Sequence, residues 1–211
     1  MVSALNTRFG DQSIFAGKAT ATPAVVDSDT LLTAVQTAVA GANTAADVQA
    51  AISAWFDDPA GYEATIYLGG APRAPLTVAD GEQAHLNITA LDPAIKETLK
   101  GLTMAALLDK GVLANAPLAR QQLAKDAGLH LLQSNTDRAY LTGRLGGVQA
   151  QIDNAASRNS AESTSLKIVR NEITTVDPYE AATKLQDMQS QLEKIYTLTA
   201  RMTRLSLMDY L

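Results

Sequence analysis

The chain of 211 residues contains no cysteine and only two histidines. The missing cysteine excludes disulfide bonds, thiolate metal ligands and a cysteine nucleophile. His85 and His130 lack the spacing of a helical metal-binding motif such as HExxH, so we interpret both as surface or packed side chains. The neighbouring carboxylates Asp57 and Asp58 precede Pro59, which favours a turn over a catalytic pair. The sequence therefore predicts no enzyme, no cofactor and no metal site.

Aromatic residues and long apolar runs are also scarce. Aromatics make up 5% of the chain, with one Trp and three Phe, which is more typical of long packed helices than of a compact enzyme. No apolar run approaches the roughly 18 residues of a membrane helix, and the N-terminus lacks the apolar region of a secretory signal peptide. With a net charge of −5, the chain is not basic enough for nucleic acid. We expect no membrane insertion and no nucleic-acid partner.

Residues 1–26 carry the signal of a hairpin, and residues 27–112 carry the turn and capping signals of a small, mixed α+β unit. The signals are a hairpin turn at Gly10-Asp11, a helix capped by Asp27 or Ser28, a capping box at Thr44 and Asp47, a hairpin turn at Asp80-Gly81, and a helix start at Asp92-Pro93. The alternating apolar pattern of residues 62–68 predicts a further strand.

Residues 116–176 contain few turn signals after Pro117 and predict one very long helix. From Leu141 its seam follows alternating steps of four and three residues, as in a heptad repeat. The seam consists of Leu141, Leu145, Val148, Ile152, Ala155, Asn159, Glu162, Leu166, Val169, Ile173 and Val176. Three glycines weaken this helix, so we expect it to need a partner along its length.

Residues 177–211 predict a second helix, with Asp177 as N-cap and Pro178 as the first helical residue. One face is apolar and continues into an apolar terminus. The candidate assembly residues are Leu185, Met188, Leu192, Ile195, Leu198, Met202, Leu205, Leu207 and Leu211. An apolar stripe of this length normally marks an interaction surface.

These patterns predict a mainly α fold, with a long helical-hairpin or coiled-coil core and a small inserted α+β outer domain. We place a core hairpin at 1–17, the outer domain at 18–112, a long core helix at 113–176 and a C-terminal assembly helix at 177–211.

The C-terminal run from Asp177 to Leu211 resembles the end of bacterial flagellins. The matching residues are Asp177, Glu180, Leu185, Gln189, Leu192, Tyr196 and the closing Leu205-Ser206-Leu207-Met208-Asp209-Tyr210-Leu211. Upstream, Arg144 to Gln149 resembles the start of the family's C-terminal core helix. Residues 5–17 (LNTRFGDQSIFAG) resemble the family hairpin that leads into the outer domain, and 18–112 match the family only in position.

The resemblance implies a self-assembling structural subunit of the bacterial flagellum. The small outer domain and the hairpin are most similar to the hook-associated protein 3 branch, which joins hook to filament. Implied partners are hook-associated protein 1, flagellin and further copies, with an export chaperone. The implied location is extracellular, reached by the flagellar type III route without a cleaved signal peptide. The family's N-terminal helical half is expected to be missing from this chain.

Three other functions stay open. The first is flagellin, the major filament subunit. The second is a non-flagellar helical adaptor or binding module, which would be a stable monomer or dimer that forms no filaments. The third is an enzyme within the outer domain, which would depend on Asp57, Asp58 or His85.

Overall fold

The computed structural model describes the backbone of residues 1–175 and 177–208, and side chains up to residue 203. Within these ranges the helices are α1 Val2–Leu5, α2 Ser28–Ala38, α3 Ala45–Asp57, α4 Pro93–Asp109, α5 Pro117–Thr174 and α6 Pro178–Met208, and the strands are β1 Arg8–Phe9, β2 Gln12–Ser13, β3 Leu76–Ala79 and β4 Glu82–Ala84. A π-helical turn covers Pro59–Glu63. The mainly α class with a small α+β part is thus confirmed.

The chain divides into two compact units, Met1–Ala156 and Ser157–Leu211. In the first unit, α2, α3 and α4 pack against one another around one apolar core. Its largest fully buried side chains include Val35, Val48, Ile52, Phe56, Tyr62, Ile66, Met104, Leu107 and Leu123. The three aromatic rings of Trp55, Phe56 and Tyr62 meet edge to face or stacked, with centroids 5.0 to 6.3 Å apart.

The predicted helix starts of the first unit are confirmed, because each has a side chain that satisfies otherwise unpaired backbone N–H groups. Asp27 accepts from the N–H groups of Asp29 and Thr30. Thr44 and Asp47 form the predicted capping box. Asp92 caps α4, with Pro93 as the first helical residue.

Both predicted hairpins are also present. β1 pairs antiparallel with β2, placing Phe9 opposite Gln12. β3 pairs antiparallel with β4, with an irregularity between Thr77 and Ala79. Gly10 and Gly81 adopt positive φ angles of 58° and 70°, which suit glycine at such turns.

The strand predicted at residues 62–68 is wrong. The segment is helical or turn-like until Tyr67, which forms a single antiparallel bridge with Val25. The N–H of Ile66 donates to the carbonyl of Tyr62 at 3.0 Å, and both side chains are buried. Apolar residues four apart fit an alternating strand and a helical turn equally well. Here the segment forms a helical turn rather than a strand, because the turn places the side chains of Tyr62 and Ile66 in the core.

The helix predicted over 116–176 is present as α5, 58 residues long. Its heptad seam is buried or half-buried at Leu141, Val148, Ile152 and Ala155, but exposed from Asn159 through Ile173. Val176 lies outside the described residues. The seam therefore covers the first unit only as far as Ala155.

The two helices of the second unit are exposed along the length for which side chains are described. Every described side chain from 156 to 203 is exposed, on α5 and α6 alike. Asn159 and Glu162 place polar groups in the seam, so its described apolar residues in this unit are Leu166, Val169 and Ile173. The domain boundaries at 17, 112 and 176 stay predictions.

Candidate assembly surface

The apolar stripe predicted in the C-terminal helix lies along one face of α6. Steps of three and four residues keep its side chains on that face. Leu185, Met188, Leu192, Ile195, Leu198 and Met202 are between 52% and 67% exposed. The side chains of Leu205 and Leu207, and all of Leu211, lie outside the described residues. Six large apolar side chains of α6 thus face solvent in the isolated chain.

The start of α6 is defined by its capping residues. Asp177 Oδ1 accepts from the N–H of Tyr179 at 2.8 Å, and Pro178 occupies the first position, where its missing N–H costs nothing. Glu180 Oε1 accepts from Lys184 Nζ at 2.8 Å, an i,i+4 pair. Exposed pairs contribute little, so the helix gains most if a partner covers its apolar stripe.

A second apolar group lies on the part of α5 that belongs to the same unit. Leu166, Ile168, Val169 and Ile173 are between 46% and 79% exposed. Scattered exposed leucines are normal, but contiguous apolar surface on a long helix is typical of an interaction site. The C-terminal unit therefore offers apolar residues from both of its helices.

The residues weighed as catalytic candidates are not brought together into a site. Asp58 accepts from the N–H of Ala60, which is the turn role expected from Pro59. His85 is exposed just after β4. Across the described residues, no group of three or more His, Cys, Asp or Glu is placed to hold a metal ion.

Asp57 and His130 instead lie in a polar cluster where three helices meet. Lys100 of α4 is buried, and its Nζ lies 2.9 Å from Asp57 Oδ1 of α3 and 2.7 Å from Glu97 Oε1. His130 Nε2 of α5 lies 3.0 Å from Glu97 Oε2. Desolvation alone would lower the pKa of Lys100, but its hydrogen bonds to Glu97 and Asp57 outweigh it and raise the pKa. The cluster is structural, since Lys100 ties α3 to α4.

Two features of the first unit were missed by sequence reasoning. The first half of α5 packs on the core through Leu123, Ala127 and Ser134. Only one of these three side chains is large and apolar, so they give no heptad pattern in the sequence. A cavity of about 260 Å³ lies beside β1, β2 and Leu145. No local sequence pattern marks a cavity, because its walls come from distant segments.

The fold and this surface place the chain among mainly α proteins with long helices that expose apolar faces to solvent. Residues 132–211 match the family model for the bacterial flagellin C-terminal helical region. Over those residues the chain is similar to the C-terminal region of bacterial flagellins, and the match includes the described α6 stripe. No curated protein and no solved structure gives a significant match. In the part of the chain that the structure describes, no helix is both long and apolar enough to cross a membrane.

Proposed function

We propose that this chain is a structural subunit of the bacterial flagellum that joins hook to filament by helical self-assembly. The observation that carries the proposal is the coincidence of two features in one segment. Residues 132–211 match the flagellin C-terminal helical region, and within them the α6 stripe from Leu185 to Met202 is exposed. A solvated apolar stripe is costly for an isolated chain and useful for an assembling one.

In the proposed mechanism, the α6 stripe of each subunit packs against equivalent helices of its neighbours. The contact is heterologous, and repeated heterologous contacts build open helical tubes. Association removes about six large apolar side chains from water, each contributing roughly 1.5–3 kcal/mol when fully buried. The outer domain at residues 18–112 remains folded and projects outward.

The proposed partners are further copies, flagellin and hook-associated protein 1, with an export chaperone before assembly. The proposed location is extracellular, in the flagellum, after type III export without a cleaved signal peptide. The junction role is favoured over that of flagellin by the small size of the α+β part, which ends by Asp109. Flagellin is the second candidate, because a match to the flagellin C-terminal region suits it equally well.

Flagella sheared from the source cells provide the test. We expect mass spectrometry to find this chain in a small amount relative to the major filament protein, at a ratio that falls as the filaments lengthen. Flagella sheared to different lengths give the control, because a junction subunit stays constant per filament while a filament subunit scales with length. A dominant amount would make the chain a flagellin. Absence from the flagellar fraction would reject both roles in favour of the helical adaptor.

A further inference from the structure

Three glycines lie close together in the middle of α5, at positions 143, 146 and 147. None has a positive φ angle. A Cβ added at any of the three would meet no atom within 4 Å. Neither the backbone conformation nor the packing therefore requires glycine there.

Other glycines of the same unit have a steric reason. A Cβ at Gly101 would lie 2.8 Å from Leu131 Cγ, where α4 and α5 approach each other. A Cβ at Gly17 would lie 2.5 Å from the carbonyl oxygen of Ala71. By contrast, the effect of the α5 glycines is to weaken the helix locally, because glycine has the poorest helix propensity after proline.

The weakened segment borders an apolar cavity. Leu145, between Gly143 and Gly146, is 40% exposed and lines the cavity of about 260 Å³. The other apolar walls are Phe9, Ile14, Phe15, Leu86 and Ile88. The polar lining groups are already engaged, since Ser13 Oγ donates to the carbonyl of Thr22 and Arg73 Nε donates to that of Gly17. The cavity thus suits an apolar side chain better than a polar ligand.

Polar contacts hold α5 to the segment 82–92 on both sides of Gly146 and Gly147. Arg144 Nη2 donates to Asn87 Oδ1 at 3.2 Å, and Arg144 Nη1 lies 3.6 Å from Asp92 Oδ2. Gln151 Nε2 donates to the carbonyl of Gln83 at 3.2 Å. The hydrogen bonds to Asn87 and Gln83 are exposed, so each is weak and readily exchanged for water, whereas the Asp92 side chain is only 11% exposed.

We propose that α5 contains a hinge at Gly143–Gly147, and that bending there seats Leu145 in the neighbouring cavity. The helix then has two arrangements. In the observed one, Arg144 and Gln151 are bound and the cavity is open. In the bent one, Leu145 fills the cavity, and α5 beyond Gly147 points in a new direction. Bending breaks these polar contacts and shifts the half-buried Ile152 and the buried Ala155, and the burial of Leu145 opposes these losses. This inference does not depend on the proposed function.

Spin labels test the hinge cleanly, because the chain has no cysteine of its own. One pair, Thr37→Cys with Asn154→Cys, joins the rigid α2 to α5 beyond the hinge. The other, Thr37→Cys with Gln133→Cys, joins α2 to α5 before it; all three positions are exposed. We expect the 37/154 pair to show a broad or two-component distance distribution by pulsed electron paramagnetic resonance, and the 37/133 pair a narrow one.

Replacing all three glycines, as Gly143→Ala/Gly146→Ala/Gly147→Ala, is expected to narrow the 37/154 distribution to the width of the 37/133 pair. Leu145→Ser is expected to remove the bent component while keeping the helix. Gly128→Ala is the matched control, since it lies in α5 with open space around its Cβ and is expected to change neither distribution. Equal widths for both pairs in the unmodified chain would overturn the proposal, as would a triple variant that keeps the broad distribution.

Discussion

At the scale of single residues, Gly61 is the position where the fold tolerates a side chain least. A Cβ there would lie 1.9 Å from the carbonyl oxygen of Trp55. We expect Gly61→Ala to lower the free energy of unfolding by at least about 2 kcal/mol, because overpacking typically costs about 1–3 kcal/mol and the atom in the way is backbone. Urea unfolding measures the change.

Gly128→Ala is the control for this substitution, since its Cβ meets nothing within 4 Å. We expect it to raise the free energy of unfolding by up to about 1 kcal/mol through helix propensity. If both variants changed stability equally, the close approach of Gly61 to Trp55 would not exist in solution.

Tyr62 makes the stability of the first unit sensitive to alkaline pH. Its side chain is fully buried, its hydroxyl donates to the carbonyl of Ala90 at 3.2 Å, and burial raises its pKa far above the usual 10.0. A raised folded-state pKa means that the folded state holds the proton more tightly than the unfolded state. The stability it contributes is complete below pH 10 and is lost as the pH rises above that value.

We expect Tyr62→Phe to cost about 0.5–1.5 kcal/mol at neutral pH through the lost hydrogen bond, and to flatten the loss of stability above pH 10. Some loss should remain, because the pKa values of Tyr67 and Lys100 are raised as well. Urea unfolding from pH 7 to pH 11 provides the measurement. Tyr140→Phe, at an exposed tyrosine of α5, is the control and should keep the full pH dependence. An equally steep loss in Tyr62→Phe would contradict the assignment.

At the scale of elements, Lys100 joins α3 to α4 through Asp57 and has Glu97 on its own helix. Its side chain is 4% exposed, whereas Asp57 is 60% exposed. The double variant Asp57→Asn/Glu97→Gln leaves the buried ammonium without a carboxylate. We expect a loss of about 2–3 kcal/mol in urea unfolding, below the roughly 3–5 kcal/mol of fully buried pairs because water reaches Asp57.

Lys100→Met decides whether this loss comes from an unpaired charge. A buried ion pair replaced by an apolar side chain of similar volume is often neutral for stability. We therefore expect Lys100→Met, added to the double variant, to restore most of the lost stability. A triple variant as unstable as the double would show that the carboxylates act by another route.

The elements also show what could be predicted from the sequence and why. Helix starts at Asp27, Thr44, Asp92 and Asp177 were predictable, because a capping side chain and the N–H groups it satisfies are neighbours in the chain. The turn glycines Gly10 and Gly81 were predictable for the same local reason. The segment 62–68 was misread, because two buried residues four apart fit either a strand or a helical turn. Only the surrounding core decides between them.

The remaining features depend on contacts between distant parts of the chain. Leu123, Ala127 and Ser134 are buried because α5 packs on the core and approaches α4 near Gly101, not because their own sequence is strongly apolar. The α6 stripe was predictable as a pattern, and its exposure to solvent is what the structure adds. The sequence pattern of an apolar stripe is the same whether the rest of the chain buries the stripe or leaves it exposed to solvent.

At the scale of the whole molecule, the open stripe on α6 leads to the last prediction. Leu192→Glu places a carboxylate in the middle of the stripe. The change removes no buried contact of the isolated chain, because every described α6 side chain is exposed. We therefore expect unchanged folding by circular dichroism but at least a tenfold weaker association, since losing a buried leucine costs about 1.5–3 kcal/mol and 1.4 kcal/mol is tenfold.

Ser190→Glu is the matched control for Leu192→Glu. Two residues along a helix correspond to about 200°, so Ser190 faces away from the stripe and receives the same charge on the polar side. We expect Ser190→Glu to associate like the unmodified chain in sedimentation velocity, and to enter flagella of cells that lack their own copy, whereas Leu192→Glu does neither. If the two variants associate equally well, the stripe is not the assembly surface. If the unmodified chain stays monomeric at high concentration, the helical adaptor is favoured instead.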